Sequence, residues 1–117
     1  MFRRKKKETG PDLTREEMAE LVDENFRVAK KYASAGNVSG MEMSLEIAME
    51  YAQKIDRSFD SREIAKIKAM GFEHGEKALR ERSMELKEAG KLREAQKASD
   101  LAITYGNEAK MLKYTLN

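Results

Sequence analysis

His74, in the stretch "GFEHG", is the chain's single histidine, the residue type that most often serves catalysis or metal binding. The chain has no cysteine, and no glutamate stands three residues before His74. A thiolate zinc set and the Glu-x-x-His spacing of di-metal helical bundles are therefore both missing. His74 reads as an ordinary helix histidine, half in solvent. No serine lies in a G-x-S-x-G turn, and neither G-x-G-x-x-G nor a P-loop occurs. Carboxylates are plentiful, but at helical spacing they describe solvated faces. No catalytic, metal-ligating or cofactor-binding residue is expected, no cofactor is implied, and the chain reads as a non-enzyme.

Two sets of residues can instead act through charge and shape. The first is Arg3, Arg4, Lys5, Lys6 and Lys7. Residues 1–10 carry these five bases and one acid, leaving 18 bases and 20 acids for the other 107 residues. The basic character thus belongs to an arm, read as mobile over residues 1–11 and ending in Gly10-Pro11. Such an arm suits a polyanion, either nucleic acid or an anionic membrane surface. Phe2 is its only aromatic, which supplies little base stacking and a weak membrane anchor. A plain solubilising tail is the competing reading. No apolar segment follows the arm, so it does not read as a secretory signal, and no stretch has the roughly 20 apolar residues of a membrane span. A cytoplasmic location is the expectation. The 38% of charged residues leans towards a thermophile.

The second set is a row of cations and apolar groups on helices. Lys77, Arg80, Met84 and Lys87 recur at steps of three and four, which keeps them on one helix face. Phe26 and Lys30 lie on an earlier helix and are expected to close the other wall of a groove. A peptide carrying acids beside an apolar residue would suit that groove.

The elements that must position these residues are all helical. "TREE" offers a capping box between Thr14 and Glu17. Met18, Leu21, Val22, Phe26, Ala29, Tyr32 and Ala33 then mark one apolar face, ending near Ala35-Gly36. A second box, Ser39 with Glu42, predicts helix two. Its seam is Met41, Leu45, Ala48, Ala52 and Ile55. Met43, Ile47, Met49 and Tyr51 widen that apolar surface, which predicts a central helix covered on more than one side. Asp60 with Glu63 predicts a long third helix reaching Glu88. Gly71 and Gly75 lie inside it, read as points of close helix approach, with a break at "GFEHG" as the alternative. Gly90 ends that helix, and Leu92, Ala95, Ala98 and Ala102 mark the fourth. Gly106 is read as its stop and Asn107 as the cap of a short fifth helix bearing Ala109, Leu112 and Leu116. Strand alternation is absent. The fold class is all-α: residues 12–117 form a single α-helical domain, a bundle of about five helices. Of the eight methionines, Met18, Met41 and Met70 read as core filler. Met43, Met49, Met84 and Met111 fall off the seams; further core is their expected role, with an adaptable binding surface as the alternative.

Ala35-Gly36 and Ala89-Gly90, 54 residues apart, predict two tight turns that each fold a helical run back into an antiparallel hairpin. Each hairpin resembles a tetratricopeptide repeat (TPR). The matching residues are Val28, Ala29, Tyr32, Gly36-Asn37, Leu45 and Ala48 in the first, and Leu79, Ser83, Leu86, Gly90, Ala95 and Ala102 in the second. Met41, Asn25, Arg82 and Ser99 depart from the family pattern, and the repeat is longer than the roughly 34 residues of a regular array. Residues 14–88 also resemble the related MIT domain, which binds helical tails. The resemblance implies a protein–protein interaction module, an adaptor or scaffold, whose first helices line a groove for a peptide or partner helix. The expected partners are a protein or peptide, with nucleic acid or an anionic membrane for the arm, and a second copy of the chain.

Overall fold

Three helices end in the same backbone device. In the computed structural model, which describes residues 13–117, α1 spans Arg15–Ser34, α2 Val38–Lys54, α3 Ser61–Glu88 and α4 Leu92–Leu116. After α1, the Gly36 N–H donates to the Ala33 carbonyl at 3.0 Å and the Asn37 N–H to Tyr32 at 2.9 Å. After α3, Gly90 and Lys91 donate likewise to Lys87 and Leu86, at 3.0 and 2.8 Å. These are Schellman motifs, which need a left-handed residue just past the helix. Gly36 (φ 76°) and Gly90 (φ 80°) supply it. The third motif closes α2, with Asp56 at φ 53° and the Arg57 N–H on the Ala52 carbonyl at 2.8 Å. Aspartate tolerates this conformation better than most side chains, and with no glycine there the sequence reading missed it.

The helix starts follow the sequence in part. At α1 the capping box is complete: the Glu17 N–H donates to the Thr14 hydroxyl at 3.0 Å and the Thr14 N–H to the Glu17 carboxylate at 2.9 Å. At α2 the cap is Asn37, not Ser39, and its side chain accepts from the Gly40 N–H at 2.9 Å. Asn37 thereby closes one helix with its backbone and opens the next with its side chain, which is why the turn is so short. Asp60 caps α3 by accepting from Arg62 at 2.9 Å, while Glu63 faces Lys30 at 3.8 Å.

The hairpins are antiparallel. Arg15, at the start of α1, donates to the carbonyl of Ile55 at the end of α2. Ser83 donates to the Ala95 carbonyl at 2.8 Å across the second turn, and Lys113, near the end of α4, pairs with Glu73 midway along α3. Between the hairpins, α1 and α3 run side by side in the same direction: Lys30 lies by Glu63, Ser34 by Met70, and Gly36 by His74. The described molecule is a slab, 52 × 44 × 16 Å.

Three expectations are corrected. The described chain has four helices rather than about five, because α4 runs unbroken through Gly106 and Asn107. Gly106 is buried against α3, where a Cβ would stand 2.7 Å from the Glu76 carboxylate. Its smallness serves contact, not termination. The central helix is α3 rather than α2: the backbone of α3 runs close to all three others, whereas the α4 backbone comes close to α3 alone and reaches the shared core through side chains such as Ala109. The second apolar side of α2 is therefore left open, and Met43 is 61% exposed. Further core is likewise not the role of Met43, Met84 and Met111, all of which are exposed; Met41 is fully buried, and Met18, Met49 and Met70 are half-buried.

Glycine allows α3 to approach so closely. At Gly71 a Cβ would stand 2.3 Å from the Met41 sulfur, and α3 passes this point and Gly75 without a break. Gly71→Ala is thus expected to destabilise the wild-type chain by about 1–3 kcal/mol through overpacking. In a Met41→Ala background the same change should stabilise by about 1 kcal/mol, since alanine is the better helix former. Urea denaturation of the four chains of this double-mutant cycle reads the reversal of sign.

Candidate partner-binding surfaces

The residues expected to form one groove are held apart. Phe26 is half-buried on α1 and packs against the core, with Lys30 one turn on, exposed and facing Glu63 near the start of α3. Lys77, Arg80, Met84 and Lys87 are all exposed, on the far half of α3. Fourteen residues of helix separate Glu63 from Lys77, about 21 Å at 1.5 Å per residue. Lys87 is a further 15 Å or so along. Two walls that far apart do not enclose one peptide. The cause is length: α1 stops at Gly36, alongside His74 and Gly75, while α3 continues to Glu88. Arg80 is also engaged, its guanidinium reaching the Glu76 carboxylate at 2.7 and 3.0 Å. Both partners are solvent-accessible, so the pair contributes at most about 1 kcal/mol. Leu79, Ser83 and Leu86 do turn towards α4, as their spacing predicts, with Ser83 bonded to its backbone. Arg3, Arg4, Lys5, Lys6 and Lys7 lie outside the described residues.

The α2–α3 connection builds a concave surface that was not anticipated. Asp56 turns the chain, Arg57 reaches back to Asp23 on α1 at 2.8 Å, and Asp60 caps α3. Pinned at these points, the connection holds Phe59 40% exposed between two clefts. The larger, about 780 Å³, has Ile47, Met49 and Phe59 as its apolar lining and Glu46, Glu50 and Asp56 as its acids. The smaller, about 270 Å³, lies on the other side of Phe59 against Phe26, Lys30 and Glu63. Among the described residues, Glu46, Glu50 and Asp56 have no ion-pair partner. The one sequence signal was Phe59 itself, an aromatic in the polar stretch "DRSFDS" between two helices.

His74 is exposed on α3, and the described residues contain no group of three histidine or acidic side chains placed to hold a metal. No helix among them is long and apolar enough to cross a membrane. No family model, curated protein or solved structure matches this chain.

Proposed function

We propose that this chain is a non-catalytic helical interaction module, an adaptor or scaffold working in the cytoplasm, that holds a peptide or partner helix across Phe59. The single observation that carries the reading is this aromatic ring, pinned in the open between two clefts whose linings combine apolar and charged groups. An apolar side chain of the partner would enter the larger cleft beside Ile47 and Met49. Cations on its flanks would meet Glu46, Glu50 and Asp56. This is the anchor-and-rim pattern in which one desolvated aromatic carries much of the affinity. The side-by-side course of α1 and α3 is in keeping with a TPR-like pair of hairpins, whose groove would here be shortened to the region around Phe59.

A pull-down from the source cell with the full chain identifies the partner, and titration with Phe59→Ala then tests the site. The ring is partly exposed, so helicity by circular dichroism should be unchanged. Affinity should fall about 30-fold or more, the loss of a central aromatic anchor. Arg80→Glu/Lys87→Glu, measured beside it, separates the two surfaces. If only that double variant weakens binding, the site is the basic row on α3 and the Phe59 reading is wrong.

A further inference from the structure

The larger cleft beside Phe59 is apolar at its centre and acidic at its edges. Its lining holds three acids, Glu46, Glu50 and Asp56, and one base, Arg57. Arg57 is already paired with Asp23 at 2.8 Å. Lys68 shares a neighbouring hollow with Glu46 but forms no ion pair with it. Glu46 and Glu50 stand four residues apart on α2, a spacing at which like charges repel. Ile47, Met49 and the exposed ring of Phe59 lie beside them. Such a cleft fits an apolar side chain joined to several cations.

We infer that the resident occupant of this cleft is the chain's own segment Phe2–Lys7, which a partner peptide must displace. The inference rests on the reading of the cleft as a peptide site and adds how that site is regulated. Composition selects the occupant. Phe2 is followed directly by Arg3, Arg4, Lys5, Lys6 and Lys7, and no other stretch of the chain has three consecutive bases. The tether also selects it. The Arg15 guanidinium donates to the Ile55 carbonyl, so α1 starts beside the Asp56 end of the cleft. Lys7 precedes Arg15 by eight residues, at most about 29 Å of chain. The acids extend from Asp56 to Glu46 over about 15 Å at helical rise. The order fits as well: Asp56, Glu50 and Glu46 lie successively further from the tether, as do Lys7, Lys5 and Arg3 along the segment. Phe2 then comes last and reaches Ile47 and Met49. A short tether holds the segment at an effective concentration of about 1 mM. A contact with a Kd of about 100 µM as a free peptide would then be filled about nine-tenths of the time.

Nuclear magnetic resonance of the isotope-labelled full chain tests the inference, because the substitutions leave the described helices untouched. Arg3→Gln, Arg4→Gln, Lys5→Gln, Lys6→Gln and Lys7→Gln together, or Phe2→Ala alone, should move the amide signals of Ile47, Glu50 and Asp56–Phe59. Those of Arg80–Lys87 should stay in place. At about 1 M salt, where the screening length is about 3 Å, the wild-type signals should move to the same positions. A fluorescent peptide of residues 1–9 should bind the five-glutamine chain about 10-fold more tightly than wild type, whose own segment competes. Adding Glu46→Lys/Glu50→Lys to the five-glutamine chain should abolish that binding. Cleft signals that are identical in wild type and the five-glutamine chain overturn the inference, and so does equal peptide affinity for the two. Signals that revert on about tenfold dilution place the segment of a second copy in the cleft and overturn it too, since a tethered contact is independent of concentration. If the cleft signals do not move while Phe59→Ala still weakens the captured partner, this inference falls and the peptide site stands. If they move while Phe59→Ala leaves that partner's affinity unchanged, the inference stands and the partner binds elsewhere.

Discussion

Leu45→Ala should destabilise the chain by about 2–5 kcal/mol, a large share of the roughly 5–15 kcal/mol that holds a typical domain folded. Leu45 is 1% exposed and belongs to the buried cluster with Met41, Ile64, Ile67 and Phe72, to which all four helices contribute residues. The loss has two parts: the transfer free energy of the removed methyl groups, and the cavity left behind. The cavity resists collapse because α2 is fixed at both ends, by Asn37 at its start and by the Arg57–Ala52 bond at its finish. Met43→Ala is the matched control on the same helix. Its side chain is 61% exposed, and its replacement should stay within about 0.5 kcal/mol of wild type. Urea titration should shift the midpoint of Leu45→Ala with little change in slope. If the two variants unfold at the same midpoint, α2 does not pack as described.

The two turn glycines should respond very differently to the same substitution. Both have positive φ, so alanine at either site costs about 1 kcal/mol in backbone strain. At Gly90 nothing lies within 4 Å of an added Cβ, and the cost should end there. At Gly36 that Cβ would stand 3.0 Å from the carbonyl carbon and oxygen of His74 and 3.1 Å from the Gly75 nitrogen. These are backbone atoms inside a continuous helix, and they cannot swing aside as a side chain does. Overpacking there adds about 1–3 kcal/mol, so Gly36→Ala should cost about 2–4 kcal/mol in all. Because Gly36 sits between the hairpins, the variant should also loosen α3 from α1. Amide exchange should then rise along Met70–Gly75 as well as at the turn. Equal midpoints for Gly36→Ala and Gly90→Ala would show that the first turn does not press on α3.

Local chemistry, visible in the sequence by itself, determined where the chain turns and which faces are apolar. Thr14 and Glu17 make a cap wherever that helix lies, because both partners are within four residues of each other. Gly36 and Gly90 allow a left-handed turn for a reason internal to the backbone. The apolar spacing of α2 marked Leu45, Ala48 and Ala52 as buried, and they are. What the sequence left open were matters of distance between segments. Gly106 has the composition of a helix stop and serves as a contact, a difference decided by Glu76, thirty residues away. The wide apolar girth of α2 predicted a central helix, yet α3 took that place because Gly71 and Gly75 let it lie closest to its neighbours. The groove drawn from Phe26, Lys30 and the row ending at Lys87 failed for the same reason. Spacing along a helix puts residues on one face, but only the stagger between helices says which faces meet. That stagger follows from α3 passing the first turn at Gly75 and running on to Glu88, and it leaves Phe59 and the projecting hairpin as the open surfaces.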